Sequence, residues 1–234
     1  MLSLPRRNEN YQRAAGMISI LLFLFIFPLF FSPPVLRLFG LSKINGTQFF
    51  ISRLLYWVGL TMLYLYCVKV EKQKILIWED RRYTFSIYLA SIIVIFVVLF
   101  TGLGFIRFLY SFTHFSKTSE KLIEIVNIFR QNKLLLVFSA LTAAFTEEIV
   151  FRGYLQPRFQ IIFKSPFPGI LISSVLFGLL HYGYGTAINM IAPFYIGLVF
   201  AFYYWKYRNI KVLIICHFLW DLLALYSLLN RHHA

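Results

Sequence analysis

From Thr84 to Phe105 the chain carries no Asp, Glu, Lys or Arg, and the stretch from Ala14 to Phe31 is equally free of charge. Each run is as long as the ~20 apolar residues with which a helix crosses a hydrocarbon core of about 30 Å. In lipid the backbone must close its hydrogen bonds internally, which leaves helices or a closed barrel. The alternation of apolar and polar residues that a barrel strand needs is absent. With 59% hydrophobic and only 14% charged residues the chain is too apolar for an average soluble globule. The expectation is an all-α polytopic transmembrane bundle of seven spans, with eight possible, and its 234 residues leave no room for a sizeable soluble domain. Residues 1–234 are read as one integral membrane domain.

The spans are expected near 14–31, 50–70, 84–105, 134–155, 168–183, 187–205 and 212–229. The fifth is short, bounded by Pro166, Pro168 and Gly169 before it and by Gly183 and Gly185 after it. The first follows Arg6, Arg7 and Arg13 and lacks a small-x-small cleavage pattern at its end, so it is read as an uncleaved helix. Between the third and fourth spans, Leu122, Ile123, Val126 and Phe129 recur at helical spacing among charged residues, the pattern of a helix lying in the interface. Lys and Arg favour the loops that a cytoplasmic N-terminus places inside, with Arg107 to Lys133 as the exception. A bacterial cytoplasmic membrane is the expected location.

The net charge of +14 falls between the apolar runs instead of along one face, so anionic lipid headgroups, not nucleic acid, are the expected partner. Cys67 and Cys216 sit singly in different apolar segments, which excludes a disulfide framework and a cysteine-based zinc site. The oligomeric state is not legible.

Against this background the polar residues inside the spans carry the information. Of nine acidic residues, Glu147, Glu148 and Asp221 lie in nearly apolar surroundings, as do Arg152, His181 and His217. Ionised groups in such places cost several kcal/mol unless paired, and in membrane helices they mark functional sites. Glu148 and Arg152 are four apart and share a helical face, where an ion pair reduces the burial cost of both. Glu147 points about 100 degrees away and has no partner in its own helix, which leaves it available as a general base. Phe177 and His181 are four apart on one helix, and His217 and Asp221 on another, where a carboxylate one turn away can fix the imidazole tautomer. Each His alone is more often a hydrogen-bonded core residue. Three helices delivering polar groups together point to a shared hydrated cavity and to activation of water, with Glu147 and His181 handling the proton and His217 facing the oxyanion. Two His and a carboxylate also form a zinc set, in which Glu147, His181 and His217 would be the ligands. The His-Glu-x-x-His spacing is missing, and the metal-free reading is preferred.

The segments Glu147-Glu148-x-x-x-Arg152, Phe177-x-x-x-His181 and His217-x-x-x-Asp221 resemble the three ordered motifs of the CPBP family, the CAAX proteases and bacteriocin-processing enzymes also called the Abi family. The resemblance spans about residues 134–225 and implies a helical membrane bundle with a conical cavity open to the cytosol. It implies an intramembrane endopeptidase with Glu147 as base, His181 positioning water, and His217 with residue 221 at the oxyanion. Glu148, Arg152 and Phe177 would support the site. The prenyl-processing members have asparagine at the last position and this chain has Asp221; an ionised carboxylate repels an oxyanion, so that role stays open. The expected substrate is a membrane-associated peptide or lipoprotein. The competing readings are a non-catalytic relative serving as bacteriocin-immunity factor or scaffold, and a proton-coupled carrier, for which the internal pseudo-repeat is missing.

Overall fold

The computed structural model describes residues 45–113 and 119–231, and among these there are helices and no strands. The helix expected over 14–31 lies outside the described residues, as does the chain's N-terminus.

Helix α1, Gly46–Tyr66, starts where the Asn45 side chain accepts from the Gln48 amide at 2.9 Å, and it widens into a π-helical turn over Cys67–Glu71. Helix α2, Phe85–Ser111, returns across the bundle. The short α3, Glu120–Gln131, is capped by Ser119, and α4, Lys133–Glu148, by Asn132, whose Oδ1 accepts from the Leu135 amide at 3.0 Å. Each cap satisfies an N–H that the first helical turn leaves unpaired. A π-helical segment, Ile149–Leu155, continues α4 into α5, Gln156–Phe163, which Lys164 ends in the left-handed region at φ 52°. Helix α6, Pro166–Leu180, begins on a proline that needs no amide partner there, and tightens into a 3-10 turn, His181–Tyr184. Helices α7, Ile188–Tyr207, and α8, Ile210–Arg231, complete the chain.

Six stretches are long and apolar enough to cross a membrane, and they match the second to seventh expected spans: Gly46–Glu71, Phe85–Ser111, Lys133–Phe163, Pro166–Tyr184, Ile188–Tyr207 and Ile210–Asn230. The protein is an all-α polytopic bundle. The span expected to be short is 19 residues with its closing turn, so it too is of crossing length. The helix expected between the third and fourth spans is present as α3, whose buried Ile125, Val126 and Phe129 pack on Leu135, Leu136 and Leu229. Leu122 and Ile123, expected on that face, flank it half-buried.

Helix α4 sits at the centre. In the most apolar window of the span Lys133–Phe163, which α4 begins, 61% of residues are buried inside the protein, against 6% for Gly46–Glu71 and 17% for Phe85–Ser111. Apolar side chains on the outer helices, such as Val94, Val97 and Phe100, are exposed, whereas α4 is walled by protein and can carry charge. Ile149, Phe200, Tyr204 and Leu213 join α7 and α8 to one flank of its continuation, and Phe151, Tyr154, Leu155 and Phe177 join α6 to the other. Helices α6 and α7 approach at Gly178, where an added Cβ would lie 2.8 Å from Phe194 Cβ and 3.0 Å from the Met190 carbonyl oxygen. At the far end of α1 a second ionic cluster holds the bundle. Glu71 accepts from Tyr154 Oη at 2.6 Å and pairs with Arg158, which also donates to the Ile75 carbonyl at 3.3 Å.

Candidate active site

The last turn of α4 presents Glu147 and Glu148, and the helix then widens from α to π over the motif that follows. Such insertions re-aim side chains and recur at functional sites. Arg152, within the widened segment, donates from Nη1 to Glu148 Oε1 at 2.9 Å, and both side chains are 0% exposed. The rest of the guanidinium lies against aromatic faces, with its carbon 4.3 Å from the centre of Phe177 and 5.6 Å from Phe200. Attraction to the ring faces offsets part of the guanidinium's lost hydration.

From α8, His217 places Nδ1 2.8 Å from the same Glu148 Oε1. A carboxylate bonded to Arg152 accepts, so Nδ1 carries the proton and Nε2 points the other way. Nε2 lies 3.6 Å from Asp221 Oδ2 and 3.9 Å from Glu147 Oε2, beyond direct hydrogen bonding but within range for an oxygen atom held between them. Side-chain exposure rises through the cluster from 0% at Glu148 to 6% at His217, 10% at Glu147 and 28% at Asp221. The site is therefore closed on the Glu148–Arg152 side and opens past Asp221.

His181 stands apart from this line. Its Nδ1 is 2.9 Å from the Phe177 carbonyl oxygen, which can only accept, so that nitrogen holds the proton. Its ring lies 5.2 Å from Phe177 and 5.9 Å from Tyr184. Phe177 packs edge-on to His217 at 5.9 Å, with an interplanar angle of 82°. Phe177 thus packs against both imidazoles while Arg152 covers its face, which gives a physical reason for an aromatic residue one turn before His181.

The structure brings Glu147, Glu148, Arg152, His217 and Asp221 into one cluster, and His181 packs on Phe177, which also packs on His217. Among the described residues His181 makes no hydrogen bond to Glu147, and no three His, Cys, Asp or Glu side chains are arranged to hold a metal ion. The set Glu147, His181 and His217 does not form a three-ligand group. The orienting carboxylate of His217 also differs from expectation: Glu148, from another helix, holds Nδ1, and Asp221 faces Nε2. Sequence reasoning missed Arg53 on α1, whose guanidinium packs on Phe49 and Tyr56 one turn before Trp57. It missed the Glu71–Arg158 pair as well, since these residues are far apart in the chain and only the length of α1 brings them together. Helix α1 is docked close by through Trp57, which donates to Thr142 Oγ1 at 3.1 Å and stacks on Phe145 at 5.2 Å.

Fold and site together define a multi-pass membrane protein with a carboxylate–imidazole cluster enclosed among its spans. Residues 129–223 match the family model of type II CAAX prenyl endopeptidases, Rce1-like, so this part of the chain is similar to that family. The match runs from the end of α3 into α8 and contains all seven motif residues. No curated protein and no solved structure matches the chain at a significant level.

Proposed function

We propose that the protein is an intramembrane endopeptidase that hydrolyses a peptide bond of a membrane-associated peptide or lipoprotein with water activated by Glu147. The observation that carries this reading is the cluster at the end of α4, where Glu147, the Nε2 edge of His217 and Asp221 face one another on the open side of the buried Glu148–Arg152 pair. Glu147 accepts a proton from water as the water oxygen attacks the peptide carbonyl carbon, and later delivers that proton to the leaving nitrogen. His217 meets the developing oxyanion at Nε2, for which it must be doubly protonated because Glu148 already holds the Nδ1 proton. Glu148 and Asp221 on either side of the ring support that cationic form. His181, with Nδ1 engaged by the backbone, has Nε2 left to position water or the leaving group. No metal or other cofactor is assigned to the reaction.

The location proposed is a bacterial cytoplasmic membrane with the N-terminus inside. Lys72, Lys74, Arg81 and Arg82 meet Lys206, Arg208 and Lys211 at one end of the bundle, where the Arg81 amide donates to the Arg208 carbonyl at 2.9 Å. This end is the proposed cytoplasmic face and the contact for anionic headgroups. The test is a comparison of membrane peptidomes from cells carrying the natural protein and the Glu147→Ala variant at equal abundance. Specific cleavage products should vanish with the variant. A phenotype that persists unchanged would instead support a non-catalytic immunity or scaffold role.

A further inference from the structure

Helix α6 changes pitch at its functional end. Over His181–Tyr184 it tightens into a 3-10 turn, in which side chains three apart eclipse instead of diverging as they do on an α-helix. His181 and Tyr184 are three apart, and their rings stack, with centres 5.9 Å apart and planes 24° from parallel. Gly185 closes the turn at φ 76°, a conformation that residues with a side chain adopt only with strain, and its amide donates to the Tyr182 carbonyl at 2.9 Å. Tyr184 is itself tied down. It packs against the cluster that α3, α4 and α8 form around Ile125, Phe129, Leu136 and Leu229, and Lys121 on α3 sets its Nζ 5.8 Å from the tyrosine ring centre.

His181 is otherwise held at one atom, Nδ1, by the Phe177 carbonyl at 2.9 Å, and its ring meets that of Phe177 at a tilt of 60°. One hydrogen bond fixes the tautomer but serves as a pivot for the ring plane. A stacked ring anchored to three other helices removes that freedom. We propose that Tyr184 is a positioning residue: its ring holds the His181 imidazole flat so that Nε2 keeps one direction, and the tyrosine hydroxyl takes no part. This rests on the endopeptidase reading, in which His181 Nε2 positions water or the leaving group.

The variants that test it are Tyr184→Phe, which keeps the ring, Tyr184→Leu, which keeps only apolar bulk, and Gly185→Ala, which strains the turn although an added Cβ there meets no atom within 4 Å. Each is made in the natural protein and together with His181→Ala, and cleavage of a quenched fluorescent lipidated peptide is followed in micelles. Tyr184→Leu and Gly185→Ala should lower kcat about tenfold or more while KM stays within about twofold. Tyr184→Phe, the conservative variant, should retain most of kcat, and none of the three should cost anything further once His181 is gone. The second readout is carbon-13 relaxation of the His181 ring in histidine-labelled protein, its signals assigned by their loss in His181→Ala. The ring should be rigid in the natural protein and in Tyr184→Phe, and mobile in Tyr184→Leu. Equal losses with and without His181, a Tyr184→Phe variant as impaired as Tyr184→Leu, or a His181 ring equally rigid in Tyr184→Leu would overturn the proposal. A ring freed by Tyr184→Leu in a protein that cleaves nothing would uphold the contact and sink the endopeptidase reading; cleavage indifferent to all three variants would do the reverse.

Discussion

Removing one member of the Glu148–Arg152 pair should cost far more than removing both. Both side chains are 0% exposed, joined at 2.9 Å, and enclosed by Phe177 and Phe200 on one side and His217 on the other. Arg152→Met leaves a buried carboxylate with only His217 to balance it, and breaking such a pair costs about 3–5 kcal/mol. Glu148→Gln strands the guanidinium and should cost a comparable amount. In the double variant the charge problem is gone, methionine fills the guanidinium's space, and the amide carbonyl that replaces the Glu148 carboxylate still accepts from His217 Nδ1. Its cost should fall well below the sum of the single costs, with a coupling of about 2 kcal/mol or more. The assay is SDS titration of the purified protein in micelles, followed by tryptophan fluorescence, with Trp57 packed on α4 and Trp220 against Phe96 and Phe100 as reporters. Single variants costing under about 1 kcal/mol, the range of exposed pairs, or strictly additive costs would refute the argument that this pair is dry and mutually dependent.

Asp221→Asn keeps the shape at His217 Nε2 and removes a charge 3.6 Å away, so it should leave unfolding within about 1 kcal/mol of the natural protein while changing kcat by tenfold or more. A fall in kcat shows that the carboxylate supports the His217 cation, a rise shows that it opposes the oxyanion, and an unchanged kcat removes Asp221 from the reaction. Gly178→Ala should destabilise by about 1–3 kcal/mol because its Cβ meets backbone and Cβ atoms of α7, whereas Gly102→Ala should cost less because it meets the tip of Tyr195, which can swing away. Equal unfolding midpoints for the two variants would contradict the rigid approach of α6 and α7.

The spans were legible because lipid imposes one rule, that a crossing segment be long, apolar and internally hydrogen-bonded, and Thr84 to Phe105 states that rule in one run. Glu148 and Arg152 were legible as a pair because helical spacing alone brings them together. His217 was misread in part for the same reason. The carboxylate one turn away, Asp221, is local and visible in sequence, while Glu148, which holds Nδ1, arrives from another helix. Arg53 carried no signal at all, since a single arginine near the start of a span reads as an interface anchor.

Local chemistry is thus written along the chain: which stretches are long and apolar enough to cross the membrane, where the short amphipathic α3 falls, and which polar residues share a helix face. How α1, α4, α6 and α8 meet depends on close-packed surfaces between segments distant in sequence, such as Gly178 against Phe194, Phe177 against His217, and Trp57 on Thr142. Helical periodicity does not encode those contacts, and they alone decide that Glu148 orients His217 and that the cluster opens past Asp221.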